Sequence, residues 1–144
     1  MKIKTILIIV LVTFAVCMML NGVFHVLIIG NYFDKVFAGF ENKINKAANA
    51  NPVWLSATEI VWICALFYLL TFQASGKINA TKAAVGGMMM NAAISGTWNF
   101  VNASLFVVFP ESIIVPDMAF HILIVGNVSG LLIASLYNKL EKRQ

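Results

Sequence analysis

The chain has 144 residues, of which 60% are hydrophobic and only 11% charged, with a mean hydropathy of +0.87. Soluble domains run at about 45–50% apolar and about 25% charged, so this composition excludes a soluble globular protein and reads as an all-α integral membrane protein, a single domain over residues 1–144. The net charge of +4 sits in lysines at the helix ends, which marks topology and contact with the lipid bilayer rather than a surface for nucleic acid.

A membrane span needs roughly 20 mainly apolar residues, and four stretches qualify, at about 5–29, 53–72, 83–109 and 112–137. They predict a bundle of four transmembrane helices and leave no length for a nucleotide-binding or soluble catalytic domain. The first span follows Lys2 and Lys4 as a secretory signal would. Its apolar run is far longer than the roughly 7–15 residues of a signal core, and no small-residue cleavage site follows it, so it reads as a retained helix. Cys17 lacks the small residues that precede a lipoprotein cleavage site, and Cys64 falls inside the second span. Both read as small apolar fillers.

Between the first two spans, residues 31–52 form the longest polar segment, with Phe33, Phe37, Phe40, Ile44 and Ala47 at helical spacing among charges. This predicts a short amphipathic interfacial helix capping the outer face; a solvated loop with a few aromatic contacts is the alternative. Pro52 suits the first turn of the second helix, and Ser75-Gly76 supplies turn chemistry before the third. Pro110 closes the third helix and Pro116 lies near the start of the fourth. No internal repeat is evident, so an inverted-repeat transporter within one chain is not indicated. Gly86-Gly87 and the Gly126/Gly130 pair read as close-packing faces.

Lys2, Lys4, Lys77, Lys82, Lys139, Lys142 and Arg143 fall on one side of this arrangement, against Lys35, Lys43 and Lys46 on the other. The excess of basic residues places both termini in the cytoplasm, in an inner (plasma) membrane. The sequons at Asn79, Asn102 and Asn127 then lie in spans or on the cytoplasmic side, out of reach of glycosylation.

With the topology fixed, position along a helix gives depth. In the third helix Ala84, Gly87, Asn91, Ser95, Trp98 and Asn102 recur every three or four residues on one face, with Asn99 beside them. Asn21 and His25 lie one turn apart near the outer end of the first helix. Glu59 is within two turns of the outer end of the second, and Asp117 and His121 share a face at the start of the fourth. His25, Glu59, Trp98, Asn99, Asn102, Asp117 and His121 thus come from four helices at one depth. An ionised group at the bilayer centre costs about 2.5–3.5 kcal/mol even on the lenient scale, so such residues face a bundle interior or a wet cavity. They predict an outward-opening polar pocket.

Each of these residues also has a structural reading. Asn91 and Ser95 serve as interhelical glue, worth about 0.6 kcal/mol on average; Asp117, after Pro116, caps a helix start; Trp98 anchors at the interface. Glu59 lies past any capping position and needs a partner such as His25 or His121, or else must stay protonated. His25, Glu59, Asp117 and His121 together offer nitrogen and oxygen ligands for a divalent metal, although no two of them lie at an established metal spacing, and a buried hydrogen-bond network is the simpler alternative. Hydrolytic triads and phosphate-cradling glycine loops are missing.

The segments "NGVFHVLIIGNYF", "ALFYLL", "WNFVNASLFVVFP" and "PDMAFH" resemble an uncharacterised family of small bacterial inner-membrane proteins with four predicted helices, and the likeness covers most of the chain from Asn21 onward. The resemblance implies acidic residues at the positions of Asn21 and Asn99, matches at Asn102, Pro110, Asp117 and Met118, and tryptophan and glycine where Phe120 and His121 stand. With two acids replaced by amides, ion or proton chemistry common to the family is not implied for this chain. The resemblance supports the fold and the choice of positions and supplies no activity.

The function expected first is therefore binding or transport of a small polar ligand or cation from the outer side. His25, Glu59, Asp117 and His121 would be its charged or coordinating groups, Asn99 and Asn102 would orient it, and Trp98 would form a wall. Few polar groups continue inward (Asn21, Asn91, Ser95 and Asn127), which favours a receptor-like pocket over an open channel. The alternative is an assembly protein with a purely structural polar core, packing through its small-residue faces against copies of itself or another membrane protein. An enzyme using Glu59 or a histidine as general base comes last, since no nucleophile or oxyanion arrangement can be named.

Overall fold

A computed structural model describes residues 3–36, 38, 52–72, 74, 76–105 and 111–141, and among them the chain forms helices and no strand. Helix α1 (Ile3–Gly22) continues through a π-helical turn, Val23–Ile28, into the short α2 (Gly30–Val36); α3 covers Pro52–Phe72 and α4 Ala80–Leu105. Helix α5 (Glu111–Phe120) passes through a second π turn, His121–Gly126, into α6 (Asn127–Glu141). Two runs, Ile3–Ile28 and Ser112–Glu141, are long and apolar enough to cross a membrane, and Ser56–Phe72 is a shorter apolar helix. Large apolar side chains, among them Leu7, Leu11, Leu27, Val61, Phe72 and Met89, lie exposed on the outside. Soluble monomers rarely display apolar surface on this scale; a lipid-facing surface does.

Helix α4 packs along the second π turn and α6, while α1 packs against α3 and α6. The crossing of α4 with the π turn and α6 is built from backbone. A Cβ placed on Gly87 would overlap the carbonyl oxygen of Gly126, one on Gly126 would come within 2.7 Å of the Gly87 oxygen, and one on Gly130 would overlap the carbonyl of Ala83. Glycine is required here because the helices touch where side chains would stand, the small-residue contact common between membrane helices. The glycine faces read from the sequence thus meet each other inside the chain. Gly126 closes the π turn that opens with His121, so this contact also fixes where His121 lies.

Other boundaries shift for local reasons. Helix α4 starts at Ala80, three residues earlier than expected, because the Asn79 side chain accepts the Lys82 N–H at 3.0 Å as an N-cap. The preceding turn is tied to α6 by Asn138, which accepts from Ile78 N–H and donates to Ile78 C=O, each at 2.8 Å. Helix α5 begins at Glu111 with Pro116 inside it, so Asp117 lies beyond the first turn and the capping role expected for it is overturned. The predicted interfacial helix corresponds to α2 at its start, where Tyr32 donates to Ser112 at 2.8 Å. Phe37, Phe40, Ile44 and Ala47 lie outside the described residues.

Candidate functional site

Two five-residue segments build the site: Asn21-Gly-Val-Phe24-His25 at the end of α1, and Asp117-Met-Ala-Phe120-His121 in α5. They share an amide or acid, then phenylalanine and histidine, at one spacing. Each histidine lies in a π turn, where i→i+4 backbone bonding gives way to i→i+5. In each, the ring Nδ1 meets the carbonyl oxygen four residues back, His25 with Asn21 at 3.1 Å and His121 with Asp117 at 3.0 Å. A carbonyl only accepts, so each Nδ1 carries the hydrogen. Because α1 also packs on α6, the segments run antiparallel and face each other. Phe24 and Phe120 stack with centroids 3.9 Å apart and planes 4° from parallel, and the imidazoles lie 5.4 Å apart.

Asp117 is the hub. Its Oδ1 accepts from His25 Nε2 at 2.8 Å and stands 3.4 Å from His121 Nδ1; its Oδ2 accepts from Asn99 Nδ2 at 2.9 Å. Asn99, 3% exposed, also donates to the Ser95 carbonyl at 3.0 Å and lies 3.3 Å from Ser95 Oγ, so α4 holds the amide in one orientation. Both ring nitrogens of His25 face oxygen atoms, Asn21 O and Asp117 Oδ1.

Glu59 is buried in α3, with one oxygen accepting from the Asn21 side chain and the other from Trp62 Nε1 at 2.5 Å. Asn21 therefore joins two halves: its side chain holds Glu59 and its carbonyl holds His25. Its Oδ1 is buried without a partner among the described residues, as is Thr13 Oγ1 two turns below; in native proteins such atoms are usually satisfied by water or another ligand.

Of the residues expected at the site, His25, Asn99, Asp117 and His121 are in direct contact, and Glu59 joins them through Asn21. Trp98 is not brought in: it is 65% exposed on the outside of α4. The buried line of α4 runs Ala83, Gly87, Asn91, Ser95, Asn99, a ridge of four-residue steps that winds about the helix axis as it follows its neighbours, and the three-residue step to Trp98 leaves it. Asn102 lies in α4 with its side chain outside the described residues. The sequence reading missed Trp62, the linking role of Asn21, and the Phe24–Phe120 pair. The repeated Asn/Asp-x-x-Phe-His pattern was the signal for the last two. Among the four expected metal ligands, one atom from each of His25, Asp117 and His121 lies within 4.8 Å of the others, and Glu59 is outside this group.

An apolar exterior around helices that meet at a polar, carboxylate-centred cluster defines a helical membrane protein. The chain belongs to the family described as predicted membrane protein (DUF2177), whose model matches residues 6–134 and so spans every residue of the cluster. The family has no known function, and the match identifies a class rather than an activity. No curated protein and no solved structure matches the chain.

Proposed function

We propose that this is a multipass inner-membrane protein, crossing the bilayer with four helices and both termini in the cytoplasm, whose outer polar cluster binds a small polar ligand or cation for sensing or transport. The observation that carries the reading is the convergence on one carboxylate, Asp117, of His25 from α1, Asn99 from α4 and His121 from its own helix. Support for the topology comes from the lysines: Lys4, Lys77, Lys82 and Lys139 lie at or beside the ends of α1, α3, α4 and α6 that the positive-inside rule places in the cytoplasm. Polar groups are costly at this depth, and a cluster this concentrated at one end suits entry from outside.

One observation favours the second reading, a structural network in an assembly protein: all four carboxylate oxygens of Glu59 and Asp117 already accept hydrogen bonds from within the chain. Thermal unfolding of the detergent-purified protein against a panel of cations, amines and amino acids separates the two. A ligand at one hundred times its Kd stabilises by about 2.7 kcal/mol. The binding reading expects a panel member to do this for the wild type and not for Asp117→Asn. If Asp117→Asn is destabilised while no panel member stabilises the wild type, the network is structural.

A further inference from the structure

We propose that the cluster is a site for a divalent transition metal of the zinc class, held by His25, Asp117 and His121 with a fourth position left open. This rests on the proposed binding function and names its ligand. The donor set speaks first: two imidazoles and one carboxylate suit zinc and its neighbours, whereas magnesium and calcium take oxygen ligands.

Geometry agrees. With metal–ligand distances of about 2.0–2.1 Å, two ligands of a tetrahedral ion stand about 3.4 Å apart. Asp117 Oδ1 is 2.8 Å from His25 Nε2, and one ligand atom from each of His25, Asp117 and His121 lies within 4.8 Å of the others. That spacing already puts the three donor side chains within reach of one ion.

The donors are also supported from behind, as metal ligands usually are: a coordinating histidine typically gives its other ring N–H to a carbonyl or carboxylate. His25 Nδ1 meets the Asn21 carbonyl at 3.1 Å, leaving Nε2 as its ligand atom, and His121 Nδ1 meets the Asp117 carbonyl at 3.0 Å. The second carboxylate oxygen of Asp117 is held by Asn99, itself fixed by Ser95. Structural zinc sites close with four protein ligands, whereas sites with three keep a position for water or substrate. Three ligands here leave one position on the ion open to water or a small ligand.

The test uses the full-length protein in detergent, stripped with chelator and titrated with Zn2+ alone, with bound metal measured by elemental analysis. The expected result is one Zn2+ per chain, with affinity at least tenfold weaker in both His25→Gln and His121→Gln and unchanged in the lipid-facing control Met89→Leu. Co2+ bound to the wild type is expected to show the visible absorption of a four-coordinate nitrogen–oxygen site, a readout that needs no variant to fold. Absence of stoichiometric uptake of either ion by the wild type, or full affinity in both histidine variants, overturns the proposal. If metals fail but an organic ligand stabilises the wild type and not Asp117→Asn, the metal assignment falls and the binding function stands. If neither metal nor organic ligand binds, both fall.

Discussion

The α4–α6 crossing allows a paired test of the fold that positions His121. In Gly87→Ala the new Cβ would overlap the Gly126 carbonyl oxygen, with the carbonyl carbon at 2.9 Å and the Gly130 nitrogen at 3.2 Å. Restoring ordinary contact moves the helices apart by about 1 Å, and gaps of about 0.5–1 Å forfeit a quarter to a half of each dispersion contact at the crossing. Overpacking costs about 1–3 kcal/mol, and alanine returns about 1 kcal/mol of helix propensity, so we expect a net loss of up to about 2 kcal/mol. Gly22 is the control: it is helical at φ −60° and ψ −46°, and nothing lies within 4 Å of an added Cβ. Gly22→Ala should be neutral or more stable by up to about 1 kcal/mol. Reversible unfolding in mixed micelles, followed by helical circular dichroism, measures both. Equal stability of the two variants would refute the backbone contact and with it the placement of the His121 turn.

Three further outcomes follow from the same contacts. Trp62→Phe removes the donor to one Glu59 oxygen and should cost about 1–3 kcal/mol, the usual loss when a buried polar atom is left unpaired; the same unfolding assay reads it. Asn138→Ala removes both bonds to the Ile78 backbone and should cost about 1–3 kcal/mol, with faster proteolysis at the α3–α4 connection as an independent sign. A reporter fused after Gln144 that is active only in the cytoplasm should be active, and a cysteine introduced at Ser112 should react with a membrane-impermeant thiol reagent from outside; the reverse pattern contradicts the proposed topology.

Much of the site could be read before any coordinates because depth in a membrane is a one-dimensional quantity. Counting residues from a helix end was enough to put His25, Glu59, Asn99, Asp117 and His121 at one level, and the structure joins them in one hydrogen-bonded set. Rotation about each helix is harder. Trp98 and Asn99 are neighbours in sequence and about 100° apart around the axis, and the choice between them depends on how α4 crosses its neighbours, which no local pattern states. Asn21 was read as one of a few inward polar groups because its partner, Glu59, is 38 residues away. The capping role given to Asp117 failed on a boundary: Pro116 suggests a helix start, yet α5 begins five residues earlier and carries the proline inside it. The π turns carry no composition signal, although the repeated spacing of phenylalanine and histidine marks both places.

The central claim, that the Asp117 cluster binds a ligand, is tested most directly by an experimental structure of the protein in lipid nanodiscs, prepared without chelator, at a resolution that shows side chains. Non-protein density is expected among His25, Asp117 and His121, with His25 Nε2 and Asp117 Oδ1 moved apart from 2.8 Å to admit it. A dry cluster with that pair closed, unchanged after soaking in Zn2+ and in any ligand that stabilises the protein, would contradict it.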